Sequence, residues 1–92
     1  LKPVENEVQG YRKIIKKPMD FERMRTKLQN GDYKGIADMR VDFELMMDNC
    51  ALFNKDNVYF WRYGHQMRSI GSKILRTAEQ EEMIVSSVSF FI

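Results

Sequence analysis

Apolar residues recur at intervals of three and four along much of this 92-residue chain, which is the pattern of helices that bury one face. The first of these helices is predicted to begin after Asp20, whose carboxylate can accept the free N–H groups of the first turn. Its apolar face consists of Phe21, Met24 and Leu28. Asn30-Gly31 is predicted to end it, because the flanking residues have helical and not alternating periodicity.

Two longer helices are predicted further along the chain, one from Ile36 to Phe53 and one from the polar break at 54–57 to about Glu82. The apolar positions of the first are Ile36, Met39, Phe43, Met46, Cys50 and Phe53. Those of the second are Phe60, Tyr63 or Gly64, Met67, Ile70 or Gly71, Ile74 and Ala78. Gly64 and Gly71 lie on one face and predict close approach of another helix. Residues 11–17 are predicted to form a short helical or extended piece that Pro18 stops.

The last ten residues, MIVSSVSFFI, are uncharged and rich in β-branched and aromatic side chains. Such a segment is an aggregation hazard if exposed, so we expect it to pack on something. We therefore divide the chain into a helical bundle at 1–82 and an apolar tail at 83–92.

Composition narrows the range of functions. The net charge is only +2, which argues against a protein whose main function is to bind the phosphate backbone of nucleic acids. One cysteine and one histidine exclude an internal disulfide and multi-cysteine zinc sites. No apolar run is long enough to span a bilayer. Cys50 has a helical core position more typical of a small buried residue than of a nucleophile, and no glycine-rich phosphate loop is present. We expect that the protein has no catalytic activity and that it binds neither a metal ion nor a cofactor.

Four short motifs, in this order and spacing, resemble the bromodomain, which binds acetylated lysine. They are Pro18-Met19-Asp20, which follows Tyr11 by seven residues; Asp42-Phe43; Asn49-Cys50-Ala51-Leu52-Phe53-Asn54, similar to the family's NCxxYN; and Val58-Tyr59-Phe60. The short loop before Tyr11 and the Phe60-Trp61-Arg62 segment are most similar to bromodomains of the bromodomain-and-PHD-finger scaffold proteins.

The resemblance implies an all-α fold, a left-handed bundle of helices Z, A, B and C. The three predicted helices correspond to A, B and C, and residues 1–20 to the loop between Z and A. We expect helix Z to be absent or replaced, since the sequence opens with the loop residues Leu1-Lys2-Pro3-Val4. A bundle of three helices exposes the face that helix Z covers. The tail at 83–92, a partner chain or a longer form of the protein would cover it.

The resemblance also assigns the acetyl-lysine site. Asn54 would donate its side-chain amide to the acetyl oxygen. Tyr11 would reach the same oxygen through an ordered water, and Phe60 would form a gatekeeper wall. Each residue has a plainer interpretation: Asn54 as the end of a helix, Tyr11 as a packed loop residue, and Phe60 as core.

Three further residues complete the predicted pocket. Val4 and Val8 would supply its apolar wall, and Phe53 stands where the family has tyrosine. An unmodified lysine would carry its charge into this pocket unpaired, at a cost of several kcal/mol, and acetylation removes that charge.

The predicted function is therefore non-catalytic recognition of acetylated lysine on histone tails, within a chromatin-associated nuclear protein that regulates transcription. The basic cluster of Arg12, Lys13, Lys16 and Lys17 is a candidate for an auxiliary contact with chromatin DNA. No membrane contact is expected. The alternative is a degenerate bundle that no longer binds acetyl-lysine and holds a partner helix, or a second copy of itself, in the place of helix Z.

Overall fold

The computed structural model describes residues 10–91, with the backbone alone described at positions 11, 12, 60 and 91. Its helices are α1 (Tyr11–Ile14), α2 (Phe21–Gln29), α3 (Ile36–Phe53) and α4 (Val58–Phe91). No strand occurs within these residues, and the predicted all-α class is confirmed. Helices α2, α3 and α4 are the three that the periodicity predicts, and α1 shows that the piece at 11–17 is helical in its first four residues only.

Helix α2 begins and ends at capping residues that can be recognised in the sequence. Asp20 is its N-cap, and one of its carboxylate oxygens accepts the backbone N–H of Arg23 at 2.8 Å. Asn30 caps the other end, and Gly31 follows with φ of +74°, a left-handed conformation that glycine adopts without cost. Helix α3 begins and ends at the predicted residues.

The core lies between α3 and the segments packed on it. It consists of Met19, Met24, Phe43, Met46 and Met47. Four of these five side chains are methionines, which are unbranched and fill irregular gaps well. Ile15 and Met19 are buried, so the chain between α1 and α2 is part of the packed structure.

A buried carboxylate joins α2, the following loop and α3. Asp42, only 6 % exposed, accepts hydrogen bonds from Lys27 Nζ at 2.5 Å and Tyr33 Oη at 2.7 Å. Burial opposes ionisation of Asp42, but these two bonds and the nearby lysine charges outweigh it, so its pKa lies below the usual value. Burial and the Asp42 carboxylate together raise the pKa of Tyr33.

Helix α4 packs on α3 through a close contact at Gly71 and through one forked ion pair. A Cβ at Gly71 would overlap the ring of Phe43, which confirms the predicted close approach at this glycine. Arg40 on α3 contacts both carboxylate oxygens of Glu79 on α4, at 2.8 and 3.3 Å. Glu82 Oε1 accepts the backbone N–H of Ile36 at 3.3 Å, which places this part of α4 beside the start of α3.

The predicted end of the third helix near Glu82 is wrong. Helix α4 continues to Phe91, because no glycine or proline follows Gly71 and a packed helix propagates at little cost. The side chains at 83–90 are all exposed and leave the body of the molecule uncovered. The tail at 83–90 therefore does not cover the bundle face that the absence of helix Z would expose. The division at 82 stays a prediction.

An apolar groove of about 970 Å³ runs between α2 and α4. Most of its apolar lining belongs to Phe21, Met24, Leu28, Met39, Phe43, Tyr63, Met67, Ile70, Ile74 and Leu75. Leu28 and Ile74 are 56 % and 62 % exposed. All three predicted apolar residues of α2 and four of the six positions of the predicted apolar stripe of α4 line this groove. The periodicity identifies the right helix faces, but it does not tell which of them are covered.

Candidate functional site

Asn54 occupies the end of α3, with its side chain half-buried. Its side-chain Nδ2 donates to the carbonyl oxygen of Cys50 at 2.9 Å, and its backbone N–H donates to the same oxygen at 3.0 Å. A side-chain amide carries two N–H donors, and the bond to Cys50 uses one of them. The same bond restricts the rotation of the amide. Asn54 is thus a helix cap that retains donor capacity.

The turn from α3 to α4 is fixed by hydrogen bonds that begin at this asparagine. The carbonyl of Asn54 accepts the backbone N–H of Asn57 at 2.8 Å, and the carbonyl of Asn57 accepts that of Trp61 at 3.1 Å. The indole N–H of Trp61 donates to the carbonyl of Lys55 at 2.5 Å. The first turn of α4, which contains Phe60, is therefore held next to the end of α3.

The segment before α2 is tied to α3 by a second asparagine. Asn49 Nδ2 donates to the carbonyl oxygen of Lys17 at 2.7 Å, directly ahead of Pro18. Helix α1 also lies against α3. These contacts place α1, which begins at Tyr11, beside the helix that Asn54 caps.

The structure describes the predicted site residues unequally. Asn54 and Phe53 are half-buried at the end of α3. The backbone of Tyr11 lies in α1 and that of Phe60 in α4, while their side-chain roles stay predictions. Val4 and Val8 lie outside the described residues.

Two structural residues of this region have roles that periodicity does not reveal. Asn49 and Asp42 both belong to motifs that carry the bromodomain resemblance, yet their contacts to Lys17, Lys27 and Tyr33 are non-local. The signal that could have indicated them is the presence of a polar residue on or beside an apolar helix face, because such a residue needs a partner when buried.

The described part of the chain offers little support for a catalytic nucleophile, a metal site or a membrane-spanning helix. Burial raises the pKa of the Cys50 thiol, which disfavours the thiolate that a nucleophile or metal ligand needs. The ring of His65 lies 5.1 Å from that of Trp61. Residues 10–91 contain no cluster of three or more side chains suited to hold a metal ion. None of their helices combines the length and apolarity needed to cross a membrane.

Comparison with known proteins gives consistent results. The sequence model of the bromodomain family matches residues 1–66. Bromodomain adjacent to zinc finger domain protein 2B of Mus musculus is 47 % identical over 66 residues, which is 72 % of this chain and 3 % of that protein. Bromodomain and PHD finger-containing protein 3 of Homo sapiens is 37 % identical over 76 residues, 83 % of this chain and 6 % of that protein. The chain thus spans a small part of the relatives that it matches.

Solved bromodomain structures have the same fold. The second bromodomain of Candida albicans Bdf1, solved with a bound imidazopyridine, superposes with a TM-score of 0.70 and 32 % identity, over 79 % of this chain and 72 % of that one. The CpBRD2 structure from cryptosporidium superposes with a TM-score of 0.73 and 32 % identity, over 84 % of this chain and 73 % of that one. These matches confirm the left-handed helical bundle.

Proposed function

Because the chain belongs to the bromodomain family, whose members are generally non-catalytic modules that bind acetylated lysine peptides, we propose that it reads acetylated lysine on histone tails. The observation that carries the proposal is the position of Asn54. Its amide ends α3 beside the start of α4, with one N–H engaged by Cys50 and the second available as a donor.

Asn54 donates this second N–H to the acetyl oxygen, and Tyr11 reaches that oxygen through a water. Phe60, Phe53, Val4 and Val8 surround the methyl group and the alkyl stem. Recognition requires no bond making or breaking. The pocket selects by desolvation, because a charged ammonium would be buried in it without a partner.

The setting that we propose for this recognition is chromatin. The relatives are chromatin-associated bromodomain proteins, which supports a nuclear location and a role in transcription regulation for this chain. Lys13, Lys16 and Lys17 are exposed and, together with Arg12, are an auxiliary contact for chromatin DNA in this proposal.

Asn54→Ala tests the assignment. Loss of the donor leaves the acetyl oxygen unsatisfied in an apolar site, at a cost of about 1–3 kcal/mol, or roughly 5- to 150-fold in dissociation constant. Calorimetric titration with an acetylated histone peptide measures this loss. Asn30→Ala is the matched control, because Asn30 is also an asparagine at a helix end but is exposed at the end of α2.

The apolar groove supports one alternative, a module that binds a partner helix. Its volume of about 970 Å³ and its lining of Tyr63, Met67, Ile70 and Leu28 suit the apolar face of an amphipathic helix. In that case the chain associates with itself or a partner and shows no affinity for acetylated peptides. Sedimentation analysis of the pure chain detects self-association, and titration with an acetylated peptide separates a reader from a module whose partner is another protein.

A further inference from the structure

Helix α4 has three distinct faces: one packs on α3, and the acetyl-lysine proposal uses neither of the other two. The face toward α3 includes Gly71, Leu75 and Glu79. The second, with Tyr63, Met67, Ile70 and Ile74, lines the apolar groove. The third face is polar and basic. It is lined by His65, Arg68, Ser69, Ser72, Lys73, Arg76, Thr77 and Gln80.

The basic face has an unusual charge distribution. The sequence contains no carboxylate between Asp56 and Glu79, although it holds 13 acidic residues in all. Arg62, three residues before His65, extends the same face by nearly one turn. The charges of α4 up to residue 78 are therefore all positive, which the net charge of +2 conceals.

Most of these cations have no partner within the described residues. Arg68 donates to Asp48 at 2.8 Å, and the first following carboxylate, Glu79, is held by Arg40. None of the ion pairs among residues 10–91 involves Arg62, Lys73 or Arg76. All three side chains are exposed. They are thus available to an external anion.

The shape of this face favours an extended anion over a small one. From Arg62 to Arg76 the helix rises about 21 Å, at about 1.5 Å per residue. The cationic side chains belong to one continuous helix, and the hydroxyl groups of Ser69 and Ser72 lie between them as further hydrogen-bond donors. Apolar anchors, on which protein partners depend, are missing among the residues that line this face. Duplex DNA presents about one negative charge per 1.7 Å of its axis and matches such a row.

We propose that the outer face of α4 binds the phosphate backbone of duplex DNA, through Arg62, Lys73 and Arg76, without sequence preference. This surface is separate from the cluster at 12–17, and it does not depend on acetyl-lysine binding. A chain that failed to bind acetylated peptides would still have this DNA surface.

The experiment measures binding to a fluorescently labelled DNA duplex by anisotropy over a range of salt concentrations. The variant R62Q/K73Q/R76Q should bind at least about 10-fold more weakly at low salt. Its plot of log affinity against log salt concentration should be less steep by about 2–3, since each phosphate contact contributes about 0.9. The control R62K/K73R/R76K keeps every charge and should stay within about 2-fold of the wild type.

Two further controls make each outcome decisive. Circular dichroism melting shows that the variants fold, whether or not the chain binds acetylated peptides. The variant K13Q/K16Q/K17Q loses the same charge from the other basic cluster, and combining it with R62Q/K73Q/R76Q should weaken DNA binding further, because the two surfaces are separate. Unchanged affinity or an unchanged salt dependence in R62Q/K73Q/R76Q would overturn the proposal, whatever the loss in K13Q/K16Q/K17Q. Binding of polyglutamate but not of DNA would also overturn it, in favour of an acidic protein partner.

Discussion

The ring of Phe43 on α3 packs against Gly71 on α4, in the space that a side chain at position 71 would occupy. Phe43 is only 4 % exposed and belongs to the core, so the ring has little room to move. This contact sets how closely the two longest helices approach each other. Glycine is tolerated in the middle of α4 for this reason, although it lowers helix propensity.

Gly71→Ala should therefore destabilise the protein, although alanine favours helix by about 1 kcal/mol. Overpacking a core contact costs typically about 1–3 kcal/mol, so we expect a net loss of about 1 kcal/mol in the free energy of unfolding. Chemical denaturation measures it, with Ser69→Ala on the exposed side of α4 as the control. The double variant Gly71→Ala/Phe43→Leu tests the cause, because a smaller side chain at 43 should cancel part of the overlap. Wild-type stability in Gly71→Ala would contradict the contact.

Asp42 should make the stability of the fold sensitive to acid. Its pKa is lower in the folded protein than the unfolded value of about 3.9, so its ionised form stabilises the fold at pH values above that. This contribution is lost as the pH falls through the lower, folded pKa. We expect the free energy of unfolding to decrease below about pH 4, and Asp42→Asn to decrease less steeply.

The same variant has a second consequence at neutral pH. Asp42→Asn weakens the bonds from Lys27 and Tyr33, and we expect it to lower the stability by about 1–3 kcal/mol. Denaturant titrations from pH 7 to pH 3 follow both effects, with the exposed Asp56→Asn as control. An acid dependence identical in Asp42→Asn and wild type would show that other carboxylates are responsible.

The sequence predicts the helices well because capping and periodicity are local. Asp20, Gly31 and the bounds of α3 agree with the structure. The end of α4 is missed, because β-branched and serine residues after 82 are weak helix formers that nonetheless extend a packed helix.

Burial and site geometry are less accessible to the sequence, because they depend on contacts between distant segments. Leu28 has a core pattern but lies exposed on the groove. For the site, the motifs select Asn54, and the structure adds its bond to Cys50 and the anchoring of Lys17 by Asn49. The pocket walls assigned to Val4 and Val8 rest on the motif alone.

Removal of the residues after Glu82 should leave the fold intact. The side chains at 83–90 are exposed and bury little apolar surface, whereas Glu82 contacts the start of α3 and must be kept. We expect a chain of residues 1–82 to melt within a few degrees of the full chain and to associate less. Circular dichroism and light scattering measure the two properties. A large drop in melting temperature would show that the division at 82 is wrong.

Phe60→Ala should change peptide preference more than stability if Phe60 is the gatekeeper. A smaller side chain widens the proposed pocket, so affinity should shift between singly and doubly acetylated histone peptides. Calorimetry with both peptides gives the ratio, and Tyr59→Ala on the exposed side of the same turn is the control. An unchanged ratio accompanied by a loss of stability would mean that Phe60 is only a core residue.

Recognition of acetylated lysine through Asn54 can be tested most directly by a heteronuclear NMR titration. The ¹⁵N-labelled chain is titrated with one histone peptide in acetylated and unacetylated form. We expect dispersed spectra in which the acetylated peptide alone shifts the side-chain amide of Asn54 and the neighbouring signals of Tyr11 and Phe60. Dispersed spectra that neither peptide shifts would contradict it and favour the module that binds a partner helix.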